Sequence, residues 1–217
     1  MGNLTSKTEA KQIKSKPVYE FIKRAIDIIG SVVGLVLFSP FFLIISIAIK
    51  VTSEGPVIFS HKRVGKNGKD IYIHKFRSMV KNAEELKAQF TPEQQAEYAA
   101  NFKLENDPRV TPVGNFLRKT SLDEIPQLLN ILTGDISIVG PRPVTEEETD
   151  TYGEYKDMLL SIKPGLTGYW AANGRSNITY EKRQEMEIYY VENRSLGLDI
   201  KIIFKTALSV IKRDGAK

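Results

Sequence analysis

The sequence predicts a mixed α/β (α+β) protein in which a membrane helix precedes a small domain with a short β-hairpin and several helices. Three observations support this prediction. An apolar run from Ile28 to Ile49 has the length of about 20 residues that crosses a hydrocarbon core. Two alternating strand patterns flank a glycine turn at 66–69. A helical pattern with start and stop signals follows at 120–134, and a helix with apolar and basic positions at 198–213.

Length and composition limit the possible chemistry. The 217 residues suit one domain plus an anchor, divided as a basic segment 1–18, a membrane helix 19–51 and a domain 52–217 with a helical insertion at about 80–104. The chain has no cysteine, which excludes disulfides and thiolate sites. The formal charge is +5. Basic residues ahead of the apolar run favour an anionic lipid leaflet, whereas no nucleic-acid motif accompanies the charge, so no nucleic-acid partner is expected.

Three structures remain open for the apolar run: a straight span, a re-entrant hairpin and a buried core helix. Ser39 and Pro40 lie near its middle. Proline lacks an amide donor and kinks a helix, and the Ser39 hydroxyl can donate to a carbonyl that this releases. Lysine and arginine flank the run on both sides. Only a hairpin keeps both basic flanks in the cytoplasm, so the flanks favour a re-entrant helix kinked at Ser39-Pro40.

The next segment reads as a β-hairpin. Residues 57–64 form one predicted strand and 71–77 the other, with a tight turn at Lys66-Asn67-Gly68-Lys69. Alternation places Lys75 and Arg77 on one face, together with Ile71 and Ile73. Two cations therefore project from one strand end, and a solvated basic edge is the alternative interpretation. Residues 80–104 are charged and helical and predict a surface insertion.

An acidic pair follows in the segment Thr120-Ser121-Leu122-Asp123-Glu124-Ile125-Pro126-Gln127. Ser121 with Glu124 fits a capping box, and Pro126 suits the first turn of a helix that ends at Gly134. Asp123 is then expected at a helix N-terminus, where an ionised carboxylate and phosphate are favoured. Neighbouring helical side chains diverge by about 100°, so Asp123 and Glu124 are expected to take different roles. Ordinary capping by acidic residues is the alternative.

Two later segments carry further candidates. Arg142 stands between two prolines, which suits a guanidinium held ready for phosphate but equally a rigid turn with a surface arginine. A glycine-rich segment at 163–168 precedes Trp170 and Arg175. The tail, 198–213, is a helix with apolar and basic positions, for which an amphipathic interfacial helix and a core helix with solvated lysines are both open.

These motifs, taken in order, carry a family resemblance that runs from about Tyr19 to Lys212. The apolar run with Ser39-Pro40 is followed by Arg63-Val64-Gly65, Lys75-Phe76-Arg77-Ser78-Met79, the segment 120–127, Gly140-Pro141-Arg142-Pro143 and Pro164-Gly165-Leu166-Thr167-Gly168. The chain resembles the bacterial sugar transferase family, the monotopic phosphoglycosyl transferases that begin glycan assembly on a lipid carrier.

The resemblance implies a reaction and a place for it. A sugar-1-phosphate passes from a UDP-sugar to polyprenyl (undecaprenyl) phosphate and UMP is released, at the cytoplasmic face of the bacterial inner membrane, with Mg²⁺ as cofactor. It implies that Asp123 is the nucleophile of an aspartyl-phosphosugar intermediate and a magnesium ligand, with Glu124 as its partner. It also implies a set of substrate-binding cations, namely Lys75, Arg77, Arg118, Arg142 and Arg175. The insertion resembles that of enzymes priming exopolysaccharide, capsule or O-antigen synthesis, and a homodimer is left open.

One departure and two alternatives accompany the resemblance. Family members often have glutamine near the position after Trp170, where this chain has Ala171 and Ala172, so the sugar or base contacts of that loop are in question. The alternatives are direct transfer in a ternary complex, with the acidic pair only as metal ligands, and a non-catalytic membrane scaffold. No residue identifies the transferred sugar.

Overall fold

The structure is a computed structural model that describes residues 15–101, 104–174 and 178–212. Its helices are α1 (Pro17–Thr52), α2 (Ala83–Lys87), α3 (Pro92–Asn101), α4 (Pro112–Thr120), α5 (Gln127–Thr133), α6 (Glu146–Asp150), α7 (Lys156–Leu160), α8 (Tyr169–Ala172), α9 (Tyr180–Asn193) and α10 (Leu196–Lys212). Its strands are β1 (Ile58–Val64), β2 (Asp70–Phe76), β3 (Ser137–Val139) and β4 (Gly165–Thr167). The mixed fold class is confirmed. Arg175 and most of the basic segment 1–18 lie outside the described residues.

Helix α1 is long and apolar enough to cross a membrane by length and composition, with a mean hydropathy of 2.7 in its most apolar window. Pro17 stands in its first turn and Pro40 inside it, and the helix continues through Pro40 as one element. Pro40 cannot donate to the Val36 carbonyl four residues back. The Ser39 hydroxyl donates to that carbonyl at 2.8 Å instead, so the compensating role predicted for Ser39 is confirmed.

Both halves of α1 pack on the same domain. In the N-terminal half, Arg24 donates to the carbonyls of Ile131 and Leu132 at 2.6 and 2.8 Å. The carboxylate of Asp27, which is 3% exposed, accepts from Ser137 Oγ and the Ile138 amide. In the C-terminal half, the buried residues Ile45 and Ile49 join a cluster with Phe76, Leu117 and Ile125.

Between these two anchored halves, residues 36–41 are all exposed. A helix lying on a protein surface buries one side of every turn. Six consecutive exposed residues span more than one turn, so this part of α1 has no buried face. Ser39 and Pro40 therefore lie in an exposed part of the helix.

The predicted β-hairpin is confirmed to within one residue at each end. β1 and β2 pair in antiparallel fashion from Ile58 opposite Phe76 to Val64 opposite Asp70. The turn uses two left-handed residues, Asn67 and Gly68, with φ of 59° and 75°, which asparagine and glycine tolerate best.

Strand β2 contributes apolar side chains to clusters on both of its faces, although Tyr72 is 55% exposed. Ile71 and Ile73 pack with Ile131 and Ile136, and Phe76 on the opposite face packs against α1. The hairpin therefore joins the membrane helix to the second hydrophobic cluster of the domain.

The two glycine-containing motifs meet at a short parallel pair. β3 pairs with β4 from Ser137 opposite Gly165 to Val139 opposite Thr167. A Cβ on Gly165 would stand 2.1 Å from the Gly140 nitrogen, so this approach requires glycine. Val139, Tyr190 and Ile202 form a third cluster beneath the pair.

The insertion and the tail are both helical, as predicted. The segment that contains α2 and α3 begins and ends at one place, where Met79 and Val110 form an antiparallel β-bridge. We call this bridge the base of the insertion. In α10, Ile202 is buried in the third cluster whereas Phe204 is 66% exposed. The tail thus has one face in the core and one exposed apolar face. The core-helix interpretation describes the first face, and the interfacial-helix interpretation agrees with the second.

A tight contact at the base of the insertion gives a stability prediction. A Cβ on Gly114 would stand 1.9 Å from the Ser78 carbonyl oxygen, whereas one on Gly197 meets nothing within 4 Å. Gly114→Ala is expected to cost about 1–3 kcal/mol through overpacking and to lower the thermal unfolding temperature in detergent. Gly197→Ala is the matched control. Equal unfolding temperatures for the two variants would show that the backbone yields at Gly114.

Candidate active site

The acidic pair lies in a short turn between two helices. Ser121 has a φ of 58° and ends α4 in the left-handed conformation, and Leu122–Glu124 form a single 3₁₀ turn before α5 begins at Gln127. The predicted capping box is wrong, because Ser121 makes no side-chain capping bond there and acts as the end of the preceding helix. The predicted stop at Gly134 is confirmed by its φ of 88°.

The same turn is fixed by apolar contacts with the membrane helix. Leu122 and Ile125 pack in the cluster that contains Ile45 and Ile49 of α1. Asp123 lies between these two anchors in the sequence and is itself 7% exposed. The membrane helix and the acidic turn therefore share one core.

Asp123 is a buried carboxyl group among opposing charges. Burial is the largest influence and raises its pKa to about 6. The positive charges of Lys75 and Arg118 lower the pKa, and the negative charge of Glu124 raises it. The group is thus ionised at neutral pH and more basic than an ordinary aspartate, which suits a carboxylate nucleophile.

Glu124 has a different environment from its neighbour. Its Oε1 accepts from Lys75 Nζ at 2.6 Å, and the two side chains are 35% and 33% exposed. The prediction that the two carboxylates take separate directions agrees with this difference, because one is buried and the other meets the strand cation near solvent.

Arg118 approaches Asp123 from the end of α4. Its Nε donates to Ser78 Oγ at 2.9 Å, directly after the strand that carries Lys75. Burial lowers the pKa of the guanidinium, and the Asp123 charge opposes that shift. Two of the predicted phosphate-region cations, Lys75 and Arg118, therefore act on Asp123 together.

The structure directs Arg77 elsewhere. Its guanidinium donates to the carbonyls of Ser53 and Pro56 and to Ser53 Oγ, in the segment between α1 and β1. Its charge is not among the main influences on the pKa of Asp123. In this arrangement Arg77 fastens the end of the membrane helix to the hairpin.

Arg142 lies in a second group of charged side chains, away from the acidic turn in the sequence. Its backbone amide donates to Glu187 at 3.3 Å, and its guanidinium stands 6.0 Å from the Trp170 ring. Nearby, Glu148 pairs with Arg63 at 2.8 Å and with Arg183 at 3.4 Å.

This group was only partly readable from the sequence. Thr145 and Glu148 form a complete capping box at the start of α6, a pattern visible as Thr145-Glu146-Glu147-Glu148. The long-range partners Arg63, Arg183 and Glu187 come from distant segments, so no local pattern could have found them.

A magnesium ion would find few protein ligands at this turn. Within the described ranges, no group of three or more acidic or histidine side chains comes together. Magnesium is commonly held by one or two carboxylates completed by substrate phosphates, and Asp123 and Glu124 offer that number. The donor set fits an ion that arrives with a phosphorylated substrate.

Comparison with known proteins identifies the family of this chain. The family model described as bacterial sugar transferase matches residues 18–213. The chain belongs to the bacterial sugar transferase family. The resemblance inferred from the motifs is thereby confirmed over nearly the whole chain.

Named relatives of this sugar transferase share the same region. It is 48% identical over 200 residues to the undecaprenyl-phosphate galactose phosphotransferase of Salmonella typhimurium, covering 90% of this chain and 42% of that protein. It is 43% identical over 204 residues to the exopolysaccharide production protein ExoY of Rhizobium meliloti, covering 93% and 90%. The UDP-glucose:undecaprenyl-phosphate glucose-1-phosphate transferase of Escherichia coli is 42% identical over 198 residues, covering 87% and 40%. This sugar transferase thus spans about two fifths of the Salmonella and Escherichia proteins and most of ExoY.

Proposed function

We propose that this protein is a phosphoglycosyl transferase that moves a sugar-1-phosphate from a UDP-sugar to polyprenyl (undecaprenyl) phosphate and releases UMP. The observation that carries the proposal is a buried carboxylate, Asp123, held between two cations on a turn that packs against a membrane helix. A lipid-borne acceptor and a soluble donor can both reach such a turn. Two of the relatives are named for undecaprenyl phosphate, and one of these also for UDP-glucose, which supports these substrate classes for the family.

The proposed chemistry has two balanced steps. A carboxylate oxygen of Asp123 attacks the phosphorus that bears the sugar, the bond from that phosphorus to the UMP oxygen breaks, and UMP leaves with the electron pair. An oxygen of polyprenyl phosphate then attacks the same phosphorus and displaces the Asp123 carboxylate. A carboxylate is an accepted covalent nucleophile for phosphoryl groups.

The surrounding residues would stabilise charge that develops on the phosphates. Lys75 and Arg118 supply positive charge beside Asp123, as phosphoryl transfer requires. Glu124 is assigned to orient or deprotonate the acceptor. Arg142, which approaches Trp170, and Arg175 stay predicted contacts of the donor, whereas the hydrogen bonds of Arg77 favour a structural role.

Magnesium is part of the proposal as a companion of the donor diphosphate. Asp123 would hold it together with phosphate oxygens, and the ion would neutralise charge on the leaving group when bound.

The covalent step has a direct test. Incubating the protein with sugar-labelled UDP-sugars and no acceptor should leave label on a peptide containing Asp123. Asp123→Asn should abolish the label and lower UMP release with acceptor by about a thousandfold or more, because the nucleophile is lost.

The control for this test is Asp150→Asn, whose carboxylate is 75% exposed. Normal turnover in Asp123→Asn would show that Asp123 is not the nucleophile, whereas UMP release that requires both substrates at once would favour direct transfer in a ternary complex. No UMP release with any UDP-sugar would indicate a non-catalytic scaffold.

The first step should also depend on pH in a defined direction. Asp123 must be ionised to attack, and its pKa is raised to about 6, so the rate of label transfer should be level above that pH and fall as the pH drops below it. Measuring single turnovers without acceptor removes the titration of the acceptor phosphate.

Glu124→Gln supplies the internal control for this profile. The Glu124 charge raises the pKa of Asp123. Neutralising it should therefore move the acid limb of the pH–rate profile, where the rate falls as the pH drops, to lower pH. An acid limb near the pKa of an ordinary aspartate, about 4, in the unaltered protein would contradict the influence of burial.

We also propose that α1 enters the cytoplasmic leaflet of the bacterial inner membrane and returns, with anionic lipid contacting its basic flanks. Three observations support this topology. Both halves of α1 bind the same domain, residues 36–41 between them are exposed all round, and the hydroxyl of Ser39 compensates for Pro40. A straight span needs about 20 residues free of the domain.

Cysteine mapping tests this topology, because the chain has no cysteine of its own. Ser15→Cys and Lys69→Cys place thiols at exposed positions on either side of α1. Both should resist an impermeant thiol reagent in intact cells and react after permeabilisation. Labelling of one alone in intact cells would establish a span, and Pro40→Ala should shift Ser15→Cys toward that result.

A further inference from the structure

One buried side chain joins the strand of Lys75 to the helix that follows the acidic turn. Asn130 lies in α5 and is 1% exposed. Its Oδ1 accepts from the His74 backbone amide at 2.9 Å, and its Nδ2 donates to the Tyr72 carbonyl at 2.8 Å. The amide thus pairs with the edge of β2 opposite to β1, in the place that another strand would take.

The position of this link is informative because it lies between two parts of the candidate active site. His74 is followed directly by Lys75, and α5 follows directly after the turn that carries Asp123 and Glu124. Apolar contacts also join β2 and α5, between Ile71 and Ile73 on the strand and Ile131 on the helix. Apolar contacts have no preferred direction. The two hydrogen bonds from Asn130 to the Tyr72 carbonyl and the His74 amide are directional, so they define the register of β2 against α5.

The backbone of Asn130 is fixed as well. Its backbone carbonyl oxygen accepts from the amides of Gly134 and Asp135 at 3.1 and 3.0 Å, at the end of α5. Only a side chain with both a donor and an acceptor can serve Tyr72 and His74 together. An apolar residue would leave two partly buried backbone groups without this partner, so a side chain that only fills the volume of Asn130 would not replace it.

We infer that Asn130 is a positioning residue that fixes the register of β2 against the acidic turn and thereby holds Lys75 at Glu124 and beside Asp123. Its effect on catalysis rests on the proposed function, whereas its effect on Lys75 does not. The nearest acid, Asp135, stands 3.5 Å from Asn130 Nδ2 and also accepts from Thr133, so the amide rather than a charge makes the link.

The first experiment measures Lys75 without any reaction. Full-length protein in detergent is treated briefly with an amine-acetylating reagent, and acetylation of Lys75 is compared by mass spectrometry with that of Lys182, which is 57% exposed. Asn130→Ala should raise the Lys75 to Lys182 ratio several-fold, because Lys75 is released from Glu124. Leu159→Ala, in a separate apolar cluster that Leu159 forms with Val144 and Tyr152, is the control for a general loss of packing.

The second experiment uses the pH profile of the first step. Lys75 lowers the pKa of Asp123, as Arg118 does, while Glu124 raises it. Asn130→Ala should therefore move the acid limb upward, by roughly one pH unit if the full influence of a nearby charge is lost. Lys75→Met should move it in the same direction, and the double variant should move it no further. A purely structural role would lower the amount of folded protein without shifting the limb.

A smaller polar variant covers the case in which Asn130→Ala does not fold. Asn130→Ser keeps one hydroxyl in place of the separate donor and acceptor atoms, so it should show both changes in the same direction and to a smaller extent. A folded variant with unchanged Lys75 acetylation and an unchanged acid limb would overturn the inference. An unaltered protein that forms no labelled intermediate would instead overturn the proposed function, and the acetylation ratio would still decide the role of Asn130.

Discussion

The packing of α1 against the domain is the constraint on which the rest of the structure depends. Ile45 and Ile49 share a core with Phe76 from the hairpin and Ile125 from the acidic turn. Burial of apolar side chains is the main favourable term in folding, and here the membrane helix supplies part of the core itself. The membrane helix and the acidic turn are therefore parts of one folded core, so the candidate site and the membrane anchor depend on the same packing.

The same packing explains the electrostatics of the site. A carboxyl group excluded from water has a raised pKa, and Asp123 is excluded because the turn around it is anchored by apolar neighbours. Lys75 and Arg118 offset that effect, so the carboxylate stays ionised at neutral pH without losing its basicity. The cations that serve this purpose come from a strand and a helix that the insertion base holds together through Ser78.

Local chemistry was readable from the sequence, and long-range geometry was not. The β-hairpin, its Asn67-Gly68 turn and the stop at Gly134 follow from backbone preferences that act within a few residues. The capping box at Ser121 failed because two helices meet there and the serine ends the first of them. The grouping of Arg142 with Glu187, and the bridge from Asn130 to β2, join segments about 45 and 56 residues apart, and no spacing rule encodes such pairs.

The grip of Arg24 on the last carbonyls of α5 has a mechanical consequence. Helix α1 contacts the region of the acidic turn at two points. Ile45 and Ile49 pack against Ile125, just before α5 begins, and the Arg24 guanidinium binds the carbonyls at the end of α5. In the proposed topology the part of α1 that enters the lipid lies at residues 36–41, between these two contacts. A bend of the helix at that part would move the two contacts relative to each other and the carboxylate relative to its cations, so the packing of lipid around residues 36–41 would affect the reaction rate.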